Sequence, residues 1–233
     1  MRRQKELIHK ALEGDKVIII LDALRFDAVK EAEPVWSSGS ETPQWLANTF
    51  PLQYDVTYFS ANPFCSSVRN PYGWRGTDHF RVVPVWDFGW KEVNGCYTVP
   101  PEEVVKAYKR EGEPRPAILH FMQPHTPFAY CSNPLPIPWV TDLEKKGVVK
   151  PGDVERSKKL YPYWVKRYGA EAVREAYYEQ AEYIVELALS FAKEIGDTIV
   201  TADHGEMLGE KGLWGHPPVI TNELRVVPWL EVR

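Results

Sequence analysis

The sequence has little cysteine, only Cys65, Cys96 and Cys131 among 233 residues. Three scattered cysteines do not build a disulfide framework or a C-x-x-C zinc site, so any metal would be held mainly by Asp, Glu or His. Long apolar runs are also absent. None approaches the roughly 18 residues that a membrane helix needs, and the early run at 17–21 is too short for the core of a signal peptide. We therefore expect no membrane span and a cytoplasmic location.

A block of basic residues is missing too. The chain has 28 Lys and Arg against 32 Asp and Glu, a net charge of -4, which argues against a nucleic-acid partner. Neither G-x-x-x-x-G-K-[ST] nor a G-x-G-x-x-G after a strand occurs, which argues against a nucleotide-dependent enzyme. The length suits one large domain, and we take 1–233 as that domain.

Apolar periodicity predicts alternating helices and strands. Buried-type strands are expected at 17–21, 117–122 and 198–202, and helices at 4–13, 24–32, 42–48, 101–110 and 170–195, with further strands at 53–59 and 80–86. Residues 127–159 are expected to form a surface excursion. Strands alternating with helices indicate an α/β fold with a mostly parallel central sheet.

Polar residues follow three of the predicted strands. Asp22 ends the first, residues 123–125 follow the second, and Asp203 and His204 follow the third. If the strands are parallel neighbours, these groups meet at one edge of the sheet, and carboxylate oxygens with imidazole nitrogens suit Zn or Mn. Taken singly, Asp22 is more often a helix cap than a ligand, and Asp203 with His204 is more often a capping Asp beside a turn His.

Two longer motifs favour the metal site. TIVTADHGEMLGEKGLWGH at 198–216 resembles the C-terminal metal motif of the sulfatase-like branch of the alkaline phosphatase superfamily. VIIILDALRFD at 17–27 resembles the first metal motif of that family, in which a strand ends in an acidic ligand and an Arg follows. TPQWLA at 42–47 resembles the first core helix, and HFMQPHTPF at 120–128 resembles the substrate-site strand. The resemblance implies a three-layer α/β/α sandwich with a divalent metal held by Asp22, Asp203 and His204.

The likeness covers most of the chain and is weakest at 70–115 and 129–168. It ends at ELRVVP, 223–228, where the family has a core strand. The resemblance therefore implies a minimal version of the fold without the usual C-terminal subdomain.

The family places its nucleophile at a helix N-terminus after the second core strand, where SANPFCSSVR stands at 60–69. Cys65 and Arg69 match the first and last positions of the sulfatase C-x-P-x-R pattern, but Ser67 replaces its proline. Formylglycine at Cys65 is therefore less expected than an unmodified nucleophile that also contacts the metal. Cys65, Ser67 and Ser66 are all candidates, and packing for the thiol with capping for the serines is the structural alternative.

Ala23 stands where sulfatases usually have a second metal carboxylate, which weakens the case for Ca, while Mg stays possible beside Mn and Zn. His216 stands where many sulfatases have a lysine that contacts sulfate. It could contact an anion, protonate a leaving group or join His125 in a second metal site, although both histidines adjoin proline-containing turns and could be surface residues.

Three basic residues are further candidates for binding the substrate. Arg25 could brace Asp22, meet a substrate oxygen or pair with a nearby acid, and Arg69 completes the sulfatase-like pattern. Lys211 is a plausible anion contact and an equally plausible solvated residue.

The resemblance implies a metal-dependent hydrolase or transferase acting on a small anionic ester through a covalent intermediate. Phosphate is favoured over sulfate because of Ser67 and Ala23. Two alternatives stay open, a true sulfatase and a catalytically silent protein that binds an anion at the retained metal site. The sequence does not specify the oligomeric state.

Overall fold

The computed structural model describes residues 1–138 and 159–233. Strands in chain order are β1 (Arg2–Arg3), β2 (Val17–Asp22), β3 (Glu33–Trp36), β4 (Thr57–Ser60), β5 (Arg81–Val83), β6 (Lys91–Val93), β7 (Cys96–Thr98), β8 (Ala117–Pro124), β9 (Thr198–Thr201), β10 (Met207–Leu208), β11 (Trp214–Gly215) and β12 (Val226–Val232). Helices in the described ranges are α1 (Gln4–Glu13), α2 (Thr42–Thr49), α3 (Val85–Phe88), α4 (Pro101–Arg110), α5 (Leu160–Tyr168), α6 (Ala170–Ile195) and α7 (Asn222–Arg225).

Eight strands form the central sheet in the order β1-β3-β12-β9-β2-β8-β4-β5. All neighbouring pairs are parallel except those of β12, which runs antiparallel to β3 and β9. Strands β2, β4, β8 and β9 are buried along their whole length, as expected of parallel strands covered on both faces. The predicted α/β class with a mostly parallel sheet is confirmed.

Helices cover both faces of the sheet. Side chains alternate between the faces of a strand, so Phe121 and His120 of β8 point in opposite directions. Phe121 packs edge-on against Phe191 of α6, whereas His120 packs against Trp45 of α2, with ring centroids 6.3 and 6.1 Å apart respectively. The sheet is therefore the middle layer of three, as the three-layer prediction requires.

Two predicted elements differ from the structure. The helix expected at 24–32 is a single 3-10 turn, Phe26–Ala28. Ala23 has a φ of 64°, outside the helical region, and Tyr177 of α6 fixes the following turn, since its hydroxyl donates to Ala23 O and accepts from Arg25 N. The strand expected at 80–86 ends at Val83, and α3 follows.

The segment expected to be a surface excursion lies partly outside the described residues, which stop at 138 and resume at 159. In its described part, Phe128, Ala129 and Leu135 are buried, and the Phe128 ring lies tilted against that of Trp164 in α5, with centroids 5.2 Å apart. In the described ranges, no helix combines the length and apolar character needed to cross a membrane.

The loop after β9 is held against α7 by a close backbone approach. Gly205 N donates to Leu224 O, and a Cβ on Gly205 would lie 2.0 Å from Glu223 O. Only glycine fits at such a contact without moving backbone, so this position fixes the start of the loop that carries Asp203 and His204.

We expect Gly205→Ala to destabilise the protein by about 1–3 kcal/mol, because the added methyl group forces backbone apart. Gly14→Ala is the matched control, since its Cβ would meet only ordinary contacts at 3.6 Å. Urea unfolding of both variants measures the difference. Equal midpoints for the two variants would show that the loop tolerates displacement from α7.

Candidate metal centre

Asp22, Asp203 and His204 lie together at the carboxyl edge of the sheet. Asp22 ends β2, and the other two follow β9, its parallel neighbour, so the topology brings their ends side by side. One ligand atom from each lies within 4.8 Å of the others, and all three residues are buried. The strand ends that the sequence singled out therefore share one site.

His204 presents the form of imidazole that binds metals. Its Nδ1 lies 2.8 Å from Gly205 O and must carry the proton of that hydrogen bond. The free Nε2 faces Asp203 Oδ2 at 3.4 Å and Asp22 Oδ1 at 3.6 Å. Burial lowers the pKa of His204 to about 3, so the ring is neutral at physiological pH.

Asp22 and Asp203 form a buried acidic pair. Burial and then the charge of Asp203 raise the pKa of Asp22 well above its ordinary value. Asp203 Oδ1 accepts hydrogen bonds from Ala23 N at 3.1 Å and His204 N at 2.9 Å. In residues 1–138 and 159–233, no Lys or Arg forms an ion pair with either carboxylate. Two adjacent buried carboxylates are costly unless a cation compensates them.

Unpartnered buried atoms point at the same place. Asp22 Oδ1 and His120 Nε2 have no hydrogen-bond partner within the described chain. His120 Nε2 lies 3.9 Å from one oxygen of each carboxylate, while its Nδ1 is 2.8 Å from Tyr58 Oη. Burial lowers the pKa of His120 to about 4, which leaves it neutral. Carboxylates and neutral imidazoles with free lone pairs fit a divalent ion.

His120 had no assigned role in the sequence analysis, although it lies in the family-like motif at 120–128. Its signal was a lone imidazole inside an otherwise apolar buried strand. In a sheet covered on both faces, such a side chain needs a polar partner.

Thr42 and Asn62 border the acidic pair and were also missed as site residues. Thr42 Oγ1 donates to Asp203 Oδ2 at 2.7 Å and lies 3.3 Å from His204 Nε2. Asn62 Nδ2 donates to Asp22 Oδ2 at 2.6 Å and to Thr42 Oγ1 at 3.2 Å. The sequence predicts a helix over 42–48 without a site role for Thr42, whereas its hydroxyl, at the first residue of α2, faces the acids.

A second group shares His204 with the first. His204, Glu206 and His216 also offer ligand atoms within 4.8 Å of one another. His216 Nδ1 lies 3.1 Å from Glu206 Oε2, and the His125 ring centroid lies 5.0 Å from that of His216. The structure thus places the predicted His125 and His216 beside the acidic pair. Glu206, which sequence reasoning missed, joins them two residues after His204.

The predicted nucleophile segment differs from the expectation. Residues 61–68 form turns and bends rather than a helix start. Cys65 is fully buried among apolar side chains and belongs to neither group of potential ligands. Burial raises the pKa of its thiol well above the ordinary value, opposite to the depressed pKa expected of a reactive cysteine. Ser66 Oγ accepts from Val68 N, and Ser67 is exposed.

The first of the three basic candidates, Arg25, lies among acidic groups. Its guanidinium binds Asp27, Glu210 Oε1 and Glu206 O. Arg25 therefore matches the alternative in which it forms salt bridges with nearby acids. Burial opposes its charge, but these acids raise the pKa of Arg25 above its ordinary value.

The other two basic candidates lie on the surface. Arg69 is 62% exposed, donates to Gly73 O and lies 3.8 Å from Asp78. Lys211 is exposed in the turn after Glu210. Neither is brought into the two groups of ligand atoms.

We expect Asp22→Asn to leave the metal-free protein at least as stable as the wild type, because it removes the repulsion between two buried carboxylates. The same change should remove most of the stabilisation by added Zn or Mn, which for the wild type is about 2.7 kcal/mol when free metal is 100 times Kd. Thermal unfolding with chelator and with metal measures both effects, with exposed Asp55→Asn as the control. Equal metal stabilisation in Asp22→Asn and wild type would contradict the assignment.

Comparison with known proteins identifies the fold. No protein-family model matches the sequence, and no curated protein matches it. Among solved structures, the soluble domain of lipooligosaccharide phosphoethanolamine transferase A from Neisseria meningitidis is similar, with a TM-score of 0.55 and 12% identity over 91% of this chain and 75% of that one. A putative sulfatase from Bacteroides thetaiotaomicron gives a TM-score of 0.57 and 13% identity over 94% of this chain and 64% of that one. Phosphonate monoester hydrolase of Agrobacterium radiobacter gives a TM-score of 0.52 and 12% identity over 93% of this chain and 67% of that one. The chain has the fold of the sulfatase-like branch of the alkaline phosphatase superfamily.

Proposed function

We propose that this chain is a metal-dependent enzyme that transfers or hydrolyses the phosphoryl or sulfuryl group of a small anionic ester. The observation that carries this proposal is the buried Asp22–Asp203 pair with the neutral His204 at the carboxyl edge of the sheet. A divalent cation bound there would neutralise the carboxylates and polarise an ester oxygen. The chain's own part is to hold that charge in a fixed, dehydrated position.

Asp22, Asp203 and His204 would hold the ion, and His120 offers a further nitrogen donor from the neighbouring strand. Mixed oxygen and nitrogen donors suit Zn or Mn better than Ca, which prefers six to eight oxygens. Mg is the remaining alternative, since it binds through one or two carboxylates and several waters.

His216 supplies positive charge for the ester. Burial lowers its pKa, but the Glu206 carboxylate outweighs that effect and raises the pKa of His216 to about 9. The ring is therefore protonated near neutral pH, and with its side chain 30% exposed it remains within reach of a ligand from solvent. An imidazolium there can bind an anionic oxygen or protonate a leaving group. Burial and the charge of His216 lower the pKa of His125, so that ring stays neutral.

Phosphate esters are favoured over sulfate esters as substrates. The similar structures include a phosphoethanolamine transferase and a phosphonate monoester hydrolase as well as a putative sulfatase. Two sequence departures support phosphate, Ser67 in the sulfatase-like pattern and Ala23 after the first metal ligand. The cytoplasmic location stays a prediction.

One observation favours a catalytically silent metal-binding protein as the second candidate. The residue after β4 that reaches the acidic pair is Asn62, whose amide contacts Asp22 Oδ2. An amide is not a nucleophile, so the segment expected to supply one presents none to this site. Such a protein would bind the metal and an anion at this site without turning over an ester.

The test removes bound metal with chelator, restores Zn, Mn, Mg or Ca singly, and measures release of p-nitrophenol from its phosphate, phosphodiester, phosphonate and sulfate esters. We expect metal-dependent turnover of the phosphate esters. Asp203→Asn should lower metal affinity by more than the roughly 10- to 100-fold typical of losing a group that only supports a ligand, and should lower turnover with it. Asp55→Asn should change neither.

Two results separate the alternatives. Metal binding without turnover of any ester would establish the silent protein. Turnover that survives chelation, or full activity in Asp203→Asn, would remove this site from the reaction.

A further inference from the structure

The hydroxyl that reaches the acidic pair comes from α2. Thr42 Oγ1 lies 2.7 Å from Asp203 Oδ2 and 3.3 Å from His204 Nε2. Among the described residues, Thr42 is the only Ser, Thr or Tyr whose hydroxyl contacts the side chains of Asp22, Asp203 or His204. The Tyr58 hydroxyl reaches only the far side of His120, at Nδ1.

The surroundings fix this hydroxyl. Asn62 Nδ2 donates to Thr42 Oγ1 at 3.2 Å while it also holds Asp22, so the oxygen accepts one hydrogen bond, donates another and keeps a lone pair. Thr42 is the first residue of the eight-residue α2, where the helix dipole favours an incoming anion. Next to it, Asn70 Nδ2 donates to Pro43 O at 3.1 Å.

Two buried polar atoms without partners belong to the same site. One is Asp22 Oδ1, and the other is His120 Nε2, which lies 3.9 Å from Asp203 Oδ2, the oxygen that Thr42 contacts. A group meant only to cap a helix would turn its oxygen to the first-turn N–H groups. Thr42 instead turns its oxygen toward the potential ligands, where a reacting ester would be bound.

We propose that Thr42 Oγ1 is the nucleophile, in place of the cysteine and serines expected from the sequence. The proposal rests on the proposed function. In the first displacement, Oγ1 forms a bond to phosphorus as the ester P–O bond breaks. Asp203 Oδ2 orients the hydroxyl, and the Thr42 proton passes through solvent to the departing alkoxide.

In the second displacement, water attacks the threonyl phosphate and the P–Oγ1 bond breaks. The proton that the attacking water loses returns to Oγ1 through solvent. The sum is an ester and water converted to an alcohol and phosphate, with the enzyme restored. Asn62 positions Oγ1 and Asp22 in both steps but does not react.

The experiment compares Thr42→Val, Thr42→Ser and the matched control Thr49→Val in the metal-restored protein. Thr49 is a buried threonine at the other end of α2, and its hydroxyl is hydrogen-bonded to that of Ser38. With p-nitrophenyl phosphate as the probe, Thr42→Val should lose at least about 1,000-fold in kcat, because removing a covalent nucleophile has effects of this order or larger. Saturating metal should not restore it. Thr49→Val should retain turnover.

Acid quenching during turnover gives an independent readout. Wild type should carry a phosphoryl group on the peptide that contains Thr42, and Thr42→Ser should carry it on the substituted residue. That variant keeps the proposal testable even if Thr42→Val folds poorly.

Three results would overturn the proposal. If Thr42→Val is as active as wild type, or regains activity at high metal, then Thr42 is at most a ligand while the proposed function stands. Phosphoryl label on Cys65 or Ser66 would assign the nucleophile to the segment after β4. Wild type without turnover or label under any of the four metals would remove the proposed function and the nucleophile together.

Discussion

The structure depends on one electrostatic constraint, two carboxylates buried side by side at the end of adjacent parallel strands. Asp22 and Asp203 cannot both be charged there without compensation, because burial strips the water that would screen them. In the described ranges, no Lys or Arg pairs with them. The protonated His216 lies nearby and lowers the pKa of Asp22, but it is itself paired with Glu206. His204 and His120 are kept neutral by burial, while Asn62 and Thr42 supply only dipoles. Such a donor set fits a divalent cation, and a cation bound there would compensate the charge of the acidic pair.

The scaffold holds this pair through connections that reach across the sheet. Gln4 of α1 donates to Thr201 Oγ1 in β9 and accepts from Trp45 Nε1 in α2, both at 2.9 Å. Tyr177 of α6 fixes the turn after Asp22 from the opposite face. Because these polar groups are buried and paired, a shift in either helix layer would leave one of them unsatisfied. The position of the acids is therefore set by both layers of the sandwich.

The sequence was sufficient for the parts of the fold with strong periodicity. The apolar β-branched run before Asp22 predicted a buried parallel strand. The amphipathic stripe of 170–195 predicted α6, which ends before Gly196. Asp203 and His204 were found because they follow such a strand. The rest depends on contacts between distant segments. The helix expected after Asp22 gave way to tertiary hydrogen bonds from Tyr177, and the burial of Cys65 depends on packing against Gly76, which local pattern does not reveal.

The most direct test of the central claim is the anomalous scattering of crystals grown with Zn or with Mn. The account predicts a peak bonded to Asp22, Asp203 and His204, with ligand distances of about 2.0–2.2 Å for zinc. Crystals that bind the metal elsewhere, with the two carboxyl groups sharing a proton or joined to a basic side chain, would contradict it.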